Sequence, residues 1–130
     1  IELIEHAENT MEGNSGLTLI LALSYGGRQD IVSAARVLAR QVADGALANE
    51  AIDEALFAKY LTTGGIPDPD LLIRTSGEQR LSNFLIWQLA YTEFLFSDVL
   101  WPDFQVKHFR EAIDEYRRRD RRYGATIDSH

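Results

Sequence analysis

The stretch Leu17-Thr-Leu-Ile-Leu-Ala-Leu-Ser-Tyr25 limits what this chain can fold into more than any other. It is a nearly continuous apolar run, closed by Gly26-Gly27. A run without polar alternation predicts a strand covered on both faces, the habit of a parallel sheet. Its flanks are helical in period. Ile1, Ile4 and Met11 share a face before Gly13-Asn-Ser-Gly16 breaks the pattern. Ile31, Ala34, Ala35, Leu38 and Val42 form the apolar side of a helix over about 28–42, which Asp44-Gly45 closes.

Farther along, Ile52, Leu56 and Tyr60 predict a second helix over 50–61. Pro67-Asp-Pro-Asp70 turns the chain into a short strand, Leu71-Leu-Ile73. Ser82 is placed to cap a helix through Asn83, Phe84, Ile86, Trp87 and Ala90. Glu93-Phe-Leu-Phe96 reads as a third strand, with a continuing helix as the alternative. A last helix runs from about Val106 to Arg122, with Phe109, Ile113 and Tyr116 inward. Strands alternating with helices predict an α/β fold, part of a mainly parallel central sheet wrapped by helices. Residues 1–124 form the expected core of a single domain and 125–130 a loose tail.

A chain of 130 residues, 45% hydrophobic, is one domain's worth of globular sequence. Three strands are few for such a sheet. The chain also opens on Ile1-Glu-Leu-Ile4 in mid-helix, without Met, and reads as a piece of something longer. Strand 17–23, short of neighbours, is expected to leave an apolar patch that drives association. The absence of Cys excludes a disulfide framework and thiolate sites. No apolar run approaches membrane-spanning length. The net charge of −7 is uneven: residues 1–106 hold six basic against fifteen acidic side chains, and 107–122 hold seven against four. An acidic body disfavours nucleic acid and anionic membrane, so any anion site must be built locally.

One stretch can build it. Arg74 stands where a strand ends, the usual ligand end of an open α/β sheet, Arg80 follows in the loop, and Ser82 lies at an expected helix start. Two guanidinium groups, a hydroxyl and helix N–H donors suit a diphosphate. The plainer alternative pairs Arg74 with Asp70 or Glu78 and leaves Ser82 as a cap. Glu93 is a lone carboxylate, either salt-bridged or, if it faces the arginines, a contributor to a Mg²⁺ site. Gly26-Gly27-Arg28 is more often a turn than a phosphate loop. Arg117 to Arg122 reads first as a solvated helix end and only second as an RNA patch. His6, His108 and His130 lack metal spacing, and no nucleophile elbow or P-loop occurs.

Taken together, Gly16-Leu-Thr-Leu19, Ser24-Tyr-Gly-Gly-Arg-Gln-Asp-Ile31, Pro67 to Glu78, Arg80 to Gln88, Glu93, Trp101-Pro-Asp-Phe104 and Arg122-Tyr-Gly124 resemble the C-terminal half of the cis-prenyltransferases, undecaprenyl diphosphate synthase above all. The resemblance implies a homodimeric, cytoplasmic, Mg²⁺-dependent enzyme that condenses isopentenyl diphosphate with an allylic diphosphate such as farnesyl diphosphate, making cis double bonds and a cell-wall lipid carrier. It implies that Arg74, Arg80, Leu81 and Ser82 bind isopentenyl diphosphate, and that Glu93 attends Mg²⁺. Arg122 and Gly124 would be the Arg-x-Gly motif that reaches the partner subunit's active site. Leu17 and Leu19 would lie beside an apolar tunnel. The family's catalytic Asp and allylic diphosphate loop belong to an N-terminal portion with no counterpart here, so no catalytic residue is expected in this chain and no turnover from it alone. A non-catalytic accessory subunit of a heteromeric enzyme is the alternative. Product release implies a peripheral membrane contact without a transmembrane segment. Ser24 and Gln79 replace the Asn and His of some members.

Overall fold

The structure, a computed structural model, describes residues 2–119. Its elements in order are α1 (Glu2–Met11), α2 (Gly27–Ala43), a 3₁₀ turn (Asn49–Ala51), α3 (Glu54–Lys59), β1 (Leu71–Arg74), β2 (Glu93–Phe96), a second 3₁₀ turn (Trp101–Asp103) and α4 (Val106–Arg118). The expectations for Arg122, Gly124 and the tail lie outside the described residues.

β1 and β2 pair in parallel, with Leu71 opposite Glu93 and Arg74 opposite Phe96. The ladder runs on at both ends: the Glu93 N–H donates to the Asp70 carbonyl at 3.1 Å, and that of Ser97 to Arg74 at 2.8 Å. α4 packs on β2, and α3 on α2. The second contact is fastened by Tyr60, whose hydroxyl donates to Gln41 Oε1 at 2.8 Å. Ala34, Leu38, Leu61, Leu89 and Ala112 are the buried apolar residues of this core. Phe57 rests on Trp87 with ring centroids 4.7 Å apart, so the 82–92 segment closes the core over α3.

Three expected elements differ. Residues 17–23 lie outside any strand. Leu17, Leu19, Leu21 and Leu23 are exposed, Leu17 by 85%. The run has the residues of a central strand and, among the described residues, no sheet neighbour to pair with. The expected helix over 50–61 is split, because the Asp53 carboxylate accepts from Leu56 N–H at 2.7 Å and starts α3 late. A carboxylate at an N-cap outcompetes helix continuation through its own position.

The third correction concerns residues 82–90, which form successive turns rather than a helix. Ser82, Asn83 and Leu85 have φ of 49°, 66° and 44°, in the left-handed region, where each non-glycine residue costs about 1–2 kcal/mol. What offsets this is the start of α2. Gly26, its N-cap, has no side chain to offer. Asn83 caps the helix instead: its carbonyl accepts the Gly27 N–H at 2.7 Å and its Oδ1 the Arg28 N–H at 2.9 Å. A Cβ on Gly27 would lie 3.0 Å from the Ile86 backbone nitrogen, so glycine is what lets α2 seat this closely. The first two N–H groups of α2 are thus taken by protein, and Gly26-Gly27-Arg28, expected as a turn, is the capped start of a helix instead.

Candidate diphosphate site

Arg74 closes β1, half-buried, and its Nε is buried with no hydrogen-bond partner. A buried donor without a partner carries a penalty of about 1–3 kcal/mol, which an arriving oxygen ligand would lift. The loop that follows is fixed. Ser76 and Gly77, both at φ 67°, donate their N–H groups to the Val99 and Ser97 carbonyls at 2.8 and 3.0 Å. The turn after β1 is therefore pinned to the chain leaving β2, and Arg74 sits at the base of a held loop.

Arg80 forms an ion pair with Glu78, its own side chain 68% exposed. Exposed pairs of this kind contribute little, so Arg80 can exchange a carboxylate for a phosphate at small cost. Leu81 is half-buried and Ser82 is exposed. Because Ser82 lies in a left-handed turn, no helix N-terminus stands behind its hydroxyl, and that part of the expected anion site is corrected.

Glu93 lies elsewhere on the sheet. Register puts it opposite Leu71, at the other end of the ladder from Arg74, which is about 10 Å along the strands at 3.3 Å per residue. It is not unpartnered: Arg119 Nη1 donates to its Oε2 at 3.1 Å. Among the described residues no group of three His, Asp or Glu side chains could hold a metal by itself. A Mg²⁺ ion at Glu93 would find one carboxylate of this chain and would need its remaining oxygens from water or a ligand. Glu115, next to it through Arg119, ionises below the usual carboxylate range because of its hydrogen bond from Arg118.

Two residues that sequence reasoning passed over matter here. Arg119 belonged to an apparently solvated basic run, whereas Arg117 and Arg118 do pair within α4, with Asp114 and Glu115. Its spacing of four from Glu115 was the available signal. His108 is a cap, its Nδ1 accepting the Gln105 N–H at 2.9 Å.

An apolar cavity of about 480 Å³ lies away from these groups, lined by Leu21, Leu23, Tyr25, Ile66, Phe84 and Gln88 among others. At its edge the Tyr25 hydroxyl donates to buried Asp30 at 3.1 Å. Burial first, then the Asp30 carboxylate, raises the Tyr25 phenol above its ordinary value. Among the described residues no helix is long and apolar enough to cross a membrane.

The family described as putative undecaprenyl diphosphate synthase matches residues 1–124. The chain belongs to this prenyltransferase family. An isoprenyl transferase of Geobacillus kaustophilus is 58% identical over 93% of the chain and 47% of its own length. One from Bacillus subtilis is 55% identical over 95% of the chain and 48% of its own. Among solved structures, lavandulyl diphosphate synthase from Lavandula x intermedia, in complex with dimethylallyl diphosphate, superposes with a TM-score of 0.88 at 48% identity, over 95% of this chain and 53% of that one. A probable undecaprenyl diphosphate synthase from Campylobacter jejuni gives 0.75 at 34% identity, over 95% and 55%. This member thus spans about half the length of the prenyltransferases it matches, and its α/β fold with a parallel sheet is theirs.

Proposed function

We propose that this chain provides the isopentenyl diphosphate site of a cis-prenyltransferase making undecaprenyl diphosphate. The enzyme would act as a cytoplasmic homodimer on isopentenyl diphosphate and an allylic diphosphate of the farnesyl type. The carrying observation is Arg74, whose buried Nε lacks a partner at the carboxyl end of β1. Its planar guanidinium matches two phosphate oxygens. Arg80 would add a second once it leaves Glu78, and Leu81 and Ser82 follow it in the same loop. The apolar cavity beside Leu21, Leu23 and Phe84 offers a surface for hydrocarbon.

In the reaction the allylic C–O bond breaks, the isopentenyl double bond attacks the resulting cationic carbon, and a proton is lost. Glu93 would be the carboxylate on the side of Mg²⁺, which, when bound, would spread the charge of the departing diphosphate. The residues of this chain bind the attacking partner, and the chain alone is inferred to lack turnover. The four retained residues Arg74, Arg80, Ser82 and Glu93 favour the catalytic type over a non-catalytic accessory subunit.

One titration tests the reading. Isopentenyl diphosphate should bind the 130-residue chain measurably by calorimetry, and Arg74→Ala should weaken it at least tenfold, in line with loss of a charge-assisted pair. Radiolabelled isopentenyl diphosphate with farnesyl diphosphate and Mg²⁺ should give no polyprenyl product. Equal binding by Arg74→Ala would overturn the site, and product formed by the pure chain would overturn the division of labour.

A further inference from the structure

Glu93 opens β2 and Arg119 follows α4 as its C-cap, where the backbone turns extended at φ −84°, ψ 138°. From there the Arg119 side chain reaches back over the sheet. Its Nη1 donates to Glu93 Oε2 at 3.1 Å and to the Phe94 carbonyl at 2.7 Å, and its Nε to Glu115 Oε1 at 3.5 Å. The two charged ends are 31% and 29% exposed. Arg117 and Arg118, by contrast, are over 70% exposed and, among the described residues, pair along their own helix. Arg119 is therefore held by two strand residues and one helix residue, in a setting partly shielded from solvent, where a charge contact is less screened than at the open surface.

The carboxylate assigned above to the metal side thus already has a resident cation. A divalent ion arriving at Glu93 meets a guanidinium bonded to one of its two oxygens, and like charges at that separation repel. We propose that Arg119 is a positioning residue that competes with divalent metal for Glu93, so that the carboxylate accepts an ion only as Arg119 gives it up. The proposal rests on the assignment of Glu93 in the proposed function. Its test uses metal alone and is independent of isopentenyl diphosphate binding by Arg74.

The experiment is titration of the chain with Mn²⁺ as a paramagnetic probe, reading free ion by its resonance signal. Four variants are compared with wild type: Arg119→Gln, Arg119→Met, Arg119→Lys and Arg119→Gln with Glu93→Gln. Arg119→Gln keeps a polar amide at this position but removes the charge, and it stands in if Arg119→Met fails to fold. Arg119→Gln should bind Mn²⁺ at least fivefold more tightly than wild type. Arg119→Lys should return to within twofold of wild type, and the double variant should lose the gain. Affinity unchanged in Arg119→Gln overturns the competition. A gain that survives in the double variant overturns Glu93 as its seat. A purely structural role for Arg119 would lower the melting temperature without this charge-dependent change in metal affinity.

Discussion

Asp30 has both carboxylate oxygens engaged inside the fold: Oδ2 accepts from the Tyr25 hydroxyl and Oδ1 from the Thr62 N–H at 2.9 Å. It joins the chain entering α2 to the segment after α3, next to the apolar cavity. The consequence for pH follows from Tyr25. Burial and the neighbouring carboxylate favour the neutral phenol in the folded state, so its folded value lies above the ordinary 10.0. Below that ordinary value the stabilisation is fully present. As pH rises past it, the unfolded chain loses its proton first, and stability falls until the folded value is passed. Tyr25→Phe lacks both the hydrogen bond and this titration. Wild type should therefore be the more stable at pH 8, by about 1 kcal/mol for one hydrogen bond, and its advantage should shrink above pH 10 in urea melts of the two proteins. A gap constant to pH 11 would show that the Asp30 contact does not discriminate against the phenolate. Tyr25 and Asp30 lie five residues apart and their pairing was open to inspection, but Thr62, 32 residues from Asp30, could be joined to it only by the fold.

At the level of elements, the start of α2 shows why part of the chain was legible and part was not. The periodic positions Ala34 and Leu38 marked α2 and are buried as expected, and 93–96 forms the strand β2 rather than the helix that was its alternative. α4 is corrected in two respects: Phe109, expected inward, is 51% exposed, and the helix stops at Arg118, short of the expected Arg122, because the backbone of Arg119 turns extended. Residues 82–90 have helix-like spacing too, yet turn instead, because Asn83 serves the N–H groups of a helix 55 residues earlier in the chain. A local pattern carries no trace of such a debt. Arg74, Glu93 and Arg80 were likewise readable as charged groups near strands, whereas the register that sets Arg74 and Glu93 at opposite ends of one ladder was not. The cap can be measured. Asn83→Ala should cost about 1–2 kcal/mol, an N-cap loss combined with a left-handed residue that alanine tolerates less well. Asn83→Gly, which relieves the backbone but still lacks Oδ1, should recover part of it. Denaturant midpoints of the three proteins decide the matter: if alanine and glycine match wild type, Asn83 does not cap α2.

Over the whole molecule, apolar surface is divided unevenly. No large side chain among the described residues is fully buried, while Leu17, Leu19, Ile20, Leu21 and Leu23 are all more than half exposed. Among the described residues no backbone hydrogen bond reaches 17–23, so N–H and carbonyl groups stand beside that surface, the combination that invites pairing with another chain. Monomeric proteins seldom keep so continuous an apolar strip in water. The chain should therefore self-associate at micromolar concentration, with a weight-average mass in sedimentation that rises with loading. Leu17→Glu with Leu19→Glu, at two positions outside the apolar cavity lining, should lower that association by at least tenfold. It should change folded stability by no more than about 0.5 kcal/mol, as for exposed sites generally. Added charge on one face also repels a second copy of itself, so the decisive comparison is with Leu17→Thr and Leu19→Thr, which removes apolar area without charge and should reduce association by a smaller factor in the same direction. A wild-type chain that stays monomeric at every loading would mean that this strip is covered in solution by the chain's own residues. Proteolysis within 17–23 would then be slow in wild type and accelerated in both double variants.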